Sequence, residues 1–121
     1  MAKMIELTTR QDLRGDLTVL DKEIPFAIRR VFWIHGASGK RGGHRHHHNC
    51  MALVAVSGSC EIFVNDNKKK ATYRLDRPNK VLMLDPADWH TMDAFSPDCV
   101  LLVLASHSYD QADYIDEEYP G

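Results

Sequence analysis

The feature that most constrains the fold is a succession of brief apolar segments, each closed by turn-forming residues. Residues 17–20, 28–34, 51–56, 61–64, 72–75, 81–84 and 100–105 are rich in β-branched and large apolar side chains, and none is long enough for an amphipathic helix of ordinary length. Turn chemistry separates them. Ser57-Gly58-Ser59 and Asn65-Asp66-Asn67 suit hairpin connections, Arg77-Pro78-Asn79 and Asp85-Pro86-Ala87-Asp88 tighter corners, and residues 36–43 an exposed glycine-rich loop. The basic run Lys68-Lys69-Lys70 fits a solvated hairpin tip. Such spacing predicts an all-β domain of roughly seven to ten strands closed as a sandwich or barrel. Only residues 109–116 are expected to carry a helical turn or two.

With 121 residues the chain makes one domain, 1–121, able to bury somewhat under ~70% of its unfolded surface. A formal charge of -2 supplies no field to recruit nucleic acid or an anionic membrane, so any partner must be recognised by a specific site. Cys50, Cys60 and Cys99 are odd in number, lie in apolar stretches and form no CxxC pair, which suits free buried thiols. The N-terminus meets charge too early for a signal peptide, and no apolar run approaches the ~18 residues of a membrane span. A cytoplasmic protein is expected.

The densest chemistry lies in Gly42-Gly43-His44-Arg45-His46-His47-His48-Asn49. Along an extended strand successive side chains alternate faces, so His44, His46 and His48 are expected on one side and Arg45 and His47 on the other. The run sits mid-chain and leads directly into an apolar strand, unlike an expression tag. Two histidines spaced one residue apart on an inward face would gather imidazoles inside the barrel, where buried rings need partners. The plainer alternative is a polar rim strand whose histidines reach solvent.

Here the sequence resembles the cupin pattern, two histidines flanking one residue, then a glutamate and later a glycine. His44 and His46 supply the histidines and Gly58 the closing glycine, while Met51 stands in the glutamate slot. In metal-binding cupins that carboxylate helps to hold the ion, and a thioether is a poor ligand for iron or manganese. The second cupin motif, Pro86-Ala87-Asp88-Trp89-His90, is also irregular. The resemblance implies a small jelly-roll barrel, and the departure at Met51 leads to the expectation of no metal and no cofactor.

A narrower resemblance covers nearly the whole chain. Arg14-Gly15-Asp16-Leu17, Ile24-Pro25-Phe26-Ala27-Ile28-Arg29-Arg30-Val31, Arg41-Gly42-Gly43-His44-Arg45-His46, Val56-Ser57-Gly58-Ser59-Cys60 and Pro86-Ala87-Asp88-Trp89-His90-Thr91-Met92 follow one another as in the sugar-nucleotide 3,4-ketoisomerases. The ending, with Tyr109-Asp110 and Asp113-Tyr114-Ile115, is similar too. The resemblance implies an isomerase of deoxysugar biosynthesis that converts dTDP-4-keto-6-deoxyglucose to a 3-keto sugar through an enediol.

By position the resemblance makes His46 the proton shuttle and His44 the group that orients the sugar or polarises its oxygen, roles that could be exchanged. A base with an unperturbed pKa near ~6.5 suits proton transfer at neutral pH. Arg14, Arg30 and Arg41 are candidates for the diphosphate, since arginine binds such groups bidentately. Arg29 and Arg45 are expected to face away by strand alternation. Trp89 and His90 are candidate substrate contacts, each with packing as the alternative.

Two other classes stay open at this point. A metal-dependent cupin, such as a small dioxygenase, would use His44, His46 and His90; a binding module would hold the sugar nucleotide without turnover. The resembling enzymes are dimers that exchange an N-terminal strand, and Ile5 and Leu7 fit such a strand or one paired in its own sheet.

Overall fold

The computed structural model covers residues 1–121. Its strands are Lys3–Glu6 (β1), Thr9–Asp12 (β2), Gly15–Thr18 (β3), Arg30–His35 (β4), Arg41–His46 (β5), Met51–Ser57 (β6), Cys60–Asn65 (β7), Lys70–Leu75 (β8), Lys80–Leu84 (β9), Trp89–Asp93 (β10), Val100–Ala105 (β11) and Tyr114–Ile115 (β12). They form two five-stranded sheets, β1-β9-β6-β11-β4 and β12-β5-β10-β7-β8, with β2 and β3 as a separate hairpin. All pairings are antiparallel. This is the jelly-roll sandwich of cupin kind that the turn spacing and motifs predict.

Apolar alternation explains why the sheets face one another. Met51, Leu53 and Ala55 of β6 join Leu101, Val103 and Ala105 of β11 in the inner core, against Ile62 and Val64 of β7 and Met92 of β10. The intervening residues of β6, Ala52 and Val54, are equally buried but on the outer face, with Val81, Leu104 and Leu7. There Leu20, Ile24 and Phe26 pack over them, so the middle of the first sheet is covered on both sides. That double burial is why β6 is an unbroken apolar run rather than an alternating one.

Several expectations change. There are twelve strands, more than the expected seven to ten, because the polar β2 and the two-residue β12 carry little apolar signal. The glycine-rich loop is shorter than 36–43, since Arg41 to Gly43 already belong to β5. Residues 109–116 hold only a 3-10 turn, Gln111–Asp113, before β12 pairs with β5. The β1 strand pairs with β9 of its own chain, Ile5 opposite Val81. No helix is long and apolar enough to cross a membrane.

Gly58, the closing glycine of the first motif, has a local physical cause. It sits at φ +66°, and a Cβ built on it would lie 2.7 Å from the Cα of Cys99. The Ser96 and Asp98 side chains would have to move, and the Cys99 backbone with them. Gly58→Ala is therefore expected to lower the unfolding free energy by about 2–4 kcal/mol, combining left-handed strain with overpacking. Urea denaturation checks this; a loss below ~1 kcal/mol would show that the turn relaxes freely.

Candidate active site

β5 and β10 are neighbours in the second sheet, and His44 lies directly opposite His90 in their register. The register shifts at His90/Thr91, where Gly42 at φ +83° would bring a Cβ to 3.0 Å from the His90 carbonyl oxygen. A side chain there would force the strands apart. Alternation along β5 then places His44 and His46 on one face with His90. Ring centroids are 5.0 Å apart for His44 and His46, 5.0 Å for His44 and His90, and 6.3 Å for His46 and His90.

Each ring has a definite hydrogen-bonding orientation. His46 Nδ1 lies 2.9 Å from Asp113 Oδ2, and because a carboxylate only accepts, Nδ1–H donates. His90 Nδ1 likewise donates to the Asp88 carbonyl at 3.0 Å. The Nε2 atoms of both rings are buried with no protein partner. Unpaired buried acceptors cost free energy, and their concentration in one place marks a functional site.

Burial dominates the titration of all three rings. It holds His46 below the ordinary histidine value, partly opposed by Asp113, whose hydrogen bond and charge favour the imidazolium. His44 is lowered by burial and then by His46. His90 is pushed down to about 3 by burial, against the Asp88 carbonyl. Asp113 is itself partly desolvated, which would raise it, but the His48 N–H at 2.8 Å and His46 outweigh this and hold it below the usual carboxylate range. The cluster is thus neutral, with an ionised carboxylate behind His46.

Arg30 reaches the cluster from the other sheet. On β4, residues Arg30, Phe32 and Ile34 are less exposed than the alternating Val31, Trp33 and His35. The Arg30 guanidinium lies 5.1 Å from the Phe32 ring centroid and 5.9 Å from that of Tyr109, and its charge depresses both His44 and His46. Its Nε is buried without a partner.

The remaining expected residues are not gathered here. Trp89 occupies the opposite face of β10 from His90, packing edge to face on Phe63 at 6.2 Å and donating Nε1–H to the Asp116 carbonyl at 2.9 Å. Arg41 opens β5 and lines a crevice with Trp33, His35 and Lys40. Arg14 pairs with Asp12 at 2.7 Å on the β2–β3 hairpin. His48 departs from the expected alternation, because β5 ends at His46 and the chain bends. His47 and His48 instead line an outer crevice with Arg29 and His107. Arg45 does face away, its guanidinium 4.1 Å from the Tyr119 ring centroid.

Asp113 and Tyr114 are the residues whose placement sequence reasoning missed. Tyr114 pairs with His46 across β5 and β12, and its ring lies 4.7 Å from those of both His44 and His46. Both lay in a segment whose likeness to other proteins was visible, but nothing in the spacing carries position 113 to position 46.

No group of three or more His, Cys, Asp or Glu is spaced to hold a metal ion. Met51, in the slot of the cupin glutamate, is buried in the inner apolar core. The donor set therefore does not fit the usual cupin metal centre.

Comparisons with known proteins give the same picture. The family model described as "FdtA: WxcM-like, C-terminal" matches residues 1–119. The chain is 41% identical, over 117 residues, to the TDP-4-oxo-6-deoxy-alpha-D-glucose-3,4-oxoisomerase of Aneurinibacillus thermoaerophilus, covering 93% of this chain and 84% of that protein. It is similar in structure to the WlaRB TDP-quinovose 3,4-ketoisomerase of Campylobacter jejuni, with TM-score 0.90 and 39% identity over 96% of this chain and 92% of that one. It is also similar to QdtA, a sugar 3,4-ketoisomerase of Thermoanaerobacterium thermosaccharolyticum solved in complex with TDP, with TM-score 0.91 and 33% identity over 96% and 88% of the two chains.

The depressed histidines make stability depend on pH in a definite direction. In the unfolded chain residue 90 takes up a proton near ~6.5, whereas folded His90 resists until about 3. The unfolded state therefore binds more protons between those values. His90's contribution is complete above ~6.5 and is lost as the pH falls toward 3. At pH 5 it alone should give a slope near ~1.4 kcal/mol per pH unit. Urea unfolding at pH 7, 6 and 5 should show this slope, reduced by about one proton in His90→Gln. An unchanged slope in the variant would mean that His90 titrates normally.

Proposed function

This chain belongs to the WxcM-like FdtA family, and on that premise we propose that it converts dTDP-4-keto-6-deoxy-D-glucose to a dTDP-3-keto-6-deoxyhexose, an isomerisation in deoxysugar biosynthesis. The observation that carries the reading is the His46–Asp113 pair, whose unpartnered Nε2 lies beside two further neutral imidazoles on a scaffold shared with 3,4-ketoisomerases.

Moving the ketone from carbon 4 to carbon 3 requires removal of the proton on carbon 3 and return of a proton to carbon 4. His46 performs both transfers from Nε2. Burial keeps it neutral and ready to accept, while Asp113 holds Nδ1–H, orients the ring and stabilises the imidazolium as it forms. The electrons left on carbon 3 move into a carbon–carbon double bond, placing charge on the carbon 4 oxygen. The positive field of Arg30 disfavours imidazolium slightly but favours that oxyanion. His44, between His46 and His90, orients the sugar hydroxyls through its lone pair.

The nucleotide reading rests on the TDP-bound ketoisomerase that this chain resembles. Arg41 at the strand entrance is a candidate for the diphosphate. The hairpin that carries Arg14 forms a two-stranded sheet of its own and exposes Leu13 and Leu17. An isolated hairpin is marginal in water, which supports a homodimer in which a second copy covers it and the exposed Val31 and Trp33 of β4. Within such a dimer Arg14 would be available to the partner's sugar nucleotide. Free Cys50, Cys60 and Cys99 suit a reducing cytoplasm.

The test is to incubate the protein with dTDP-4-keto-6-deoxyglucose in deuterated water and follow the sugar by NMR. The wild type should produce a 3-keto sugar carrying deuterium at carbon 4. His46→Asn should keep its circular dichroism spectrum and lose at least ~100-fold in kcat. Turnover within tenfold of wild type would remove His46 from the shuttle role, and no deuterium with the wild type would point to a binding module.

Chelation separates the isomerase from a metal-dependent cupin. With Met51 in the glutamate slot, activity should persist after exhaustive dialysis against a chelator. Loss that iron, manganese or zinc restores would favour the metal enzyme.

A further inference from the structure

The histidine cluster is closed to solvent. His46 is 4% exposed and His90 0%, and the Nε2 atoms that a ligand would have to meet are buried. A sugar ring cannot touch an atom that water does not reach, so part of the wall must move before anything binds. Most of that wall is built into ladders. His90 lies on β10, paired over five residues with β7, while Arg30 and Phe32 lie on β4, paired over six with β11. The exception is Tyr114, whose ring is 4.7 Å from those of both His44 and His46. It belongs to β12, which is two residues long and pairs with β5 at the edge of its sheet.

Two sets of contacts hold this strand, and they differ in kind. Up to Asp113 the backbone is fixed. The Asp113 N–H donates to the Asp110 carbonyl at 3.0 Å, its carbonyl accepts from the His47 N–H at 2.9 Å, and its carboxylate accepts from His46 and from the His48 N–H. Beyond Ile115 side-chain bonds fasten the chain. Trp89 Nε1–H donates to the Asp116 carbonyl at 2.9 Å and Asn65 Nδ2 to Glu118 Oε2 at 3.0 Å. Arg45 makes the most contacts, donating to the Glu117 carbonyl at 3.3 Å and the Tyr119 hydroxyl at 3.2 Å, with its guanidinium 4.1 Å from the Tyr119 ring centroid. The Tyr119 hydroxyl in turn donates to the Ala87 carbonyl at 2.7 Å. Residues 116–118 are exposed, so these bonds compete with water and belong to the part of the molecule that opens most readily.

We propose that residues 114–119 are a lid over the histidine cavity, hinged between Asp113 and Tyr114 and latched by Arg45 and Tyr119. Lifting it withdraws the Tyr114 ring from His44 and His46. Only the two β12 pairs and the latch are broken, and Asp113 stays bonded to His46. Strand alternation makes the arrangement compact. On β5, His44 and His46 face the cavity while Arg45 between them faces out and holds the latch, so one strand carries both the site and its catch. The ligand admitted is the sugar nucleotide, and in that respect the inference rests on the ketoisomerase reading above.

Diethyl pyrocarbonate, which carbethoxylates accessible imidazoles, reads the lid without turnover when each histidine is followed by tandem mass spectrometry. In the wild type His46 should label at least ~10-fold more slowly than the exposed His35. Tyr119→Phe keeps the ring against Arg45 and removes only the hydroxyl. It should speed His46 labelling by about three- to tenfold, the scale of one or two hydrogen bonds. Arg45→Met should do the same, and it replaces Tyr119→Phe if that variant does not fold. Gly58→Ala, which lowers overall stability away from the latch, should leave His46 labelling unchanged. Labelling of His46 as fast as His35, no acceleration in the latch variants, or an equal acceleration in Gly58→Ala overturns the lid and leaves the isomerase intact. Saturating dTDP-4-keto-6-deoxyglucose should slow His46 labelling in the wild type. If it does not, while the latch variants still accelerate labelling, the ketoisomerase reading fails and the lid stands.

Discussion

The hydrogen bond between His46 Nδ1 and Asp113 Oδ2 is the contact on which the functional part of the molecule depends. It joins the end of β5 to a segment 67 residues later, and both side chains are almost wholly removed from water. A buried carboxylate is tolerable only when its charge is met, and here the His48 N–H and the His46 ring meet it. The same bond fixes the tautomer of His46, so a single contact decides both where the C-terminal segment lies and which nitrogen is left without a protein partner. Tyr114 follows from it, since the next residue must then lie against β5.

The two sheets divide the labour. The first is apolar on both faces and supplies most of the core, which makes it a rigid platform. The second carries the histidines, and its inner face turns from apolar to polar along each strand: Met92 packs in the core while His90, two residues earlier, faces the cluster. Arg30 shows how the layers cooperate. It stands at one end of β4, on the side shared with Phe32 and Ile34, and brings a positive charge to imidazoles held by the opposite sheet. In a ketoisomerase that charge suits a reaction whose intermediate is an enolate, because the field is in place before the charge develops.

Neutral buried histidines are a cost to stability and an advantage to chemistry. Desolvation keeps all three uncharged at neutral pH, so the cluster can accept a proton but rarely holds one at rest. Asp113 offsets part of that effect at His46 alone. The environment thereby makes one of three chemically identical rings different, since His46 alone is backed by a carboxylate.

Much of this was legible in the chain. Brief β-branched segments between turn residues gave an all-β sandwich, alternation paired His44 with His46, and the ordered motifs pointed to the ketoisomerases. These features are local, set by side-chain period and turn geometry within a few residues. Strands β2 and β12 were not visible, because one is polar and the other has only two residues. The bend after His46 that sends His48 to an outer crevice depends on the His47 N–H bond to the Asp113 carbonyl and the His48 N–H bond to its carboxylate, and the outward turn of Trp89 on the face that β10 presents. Arg30, Asp113 and Tyr114 meet the histidines from separate elements, so only tertiary structure could assemble them. Sequence alone determined the strands and the chemical groups available; long-range pairing decided which groups share one buried space, because the energy of burying them depends on neighbours distant in the chain.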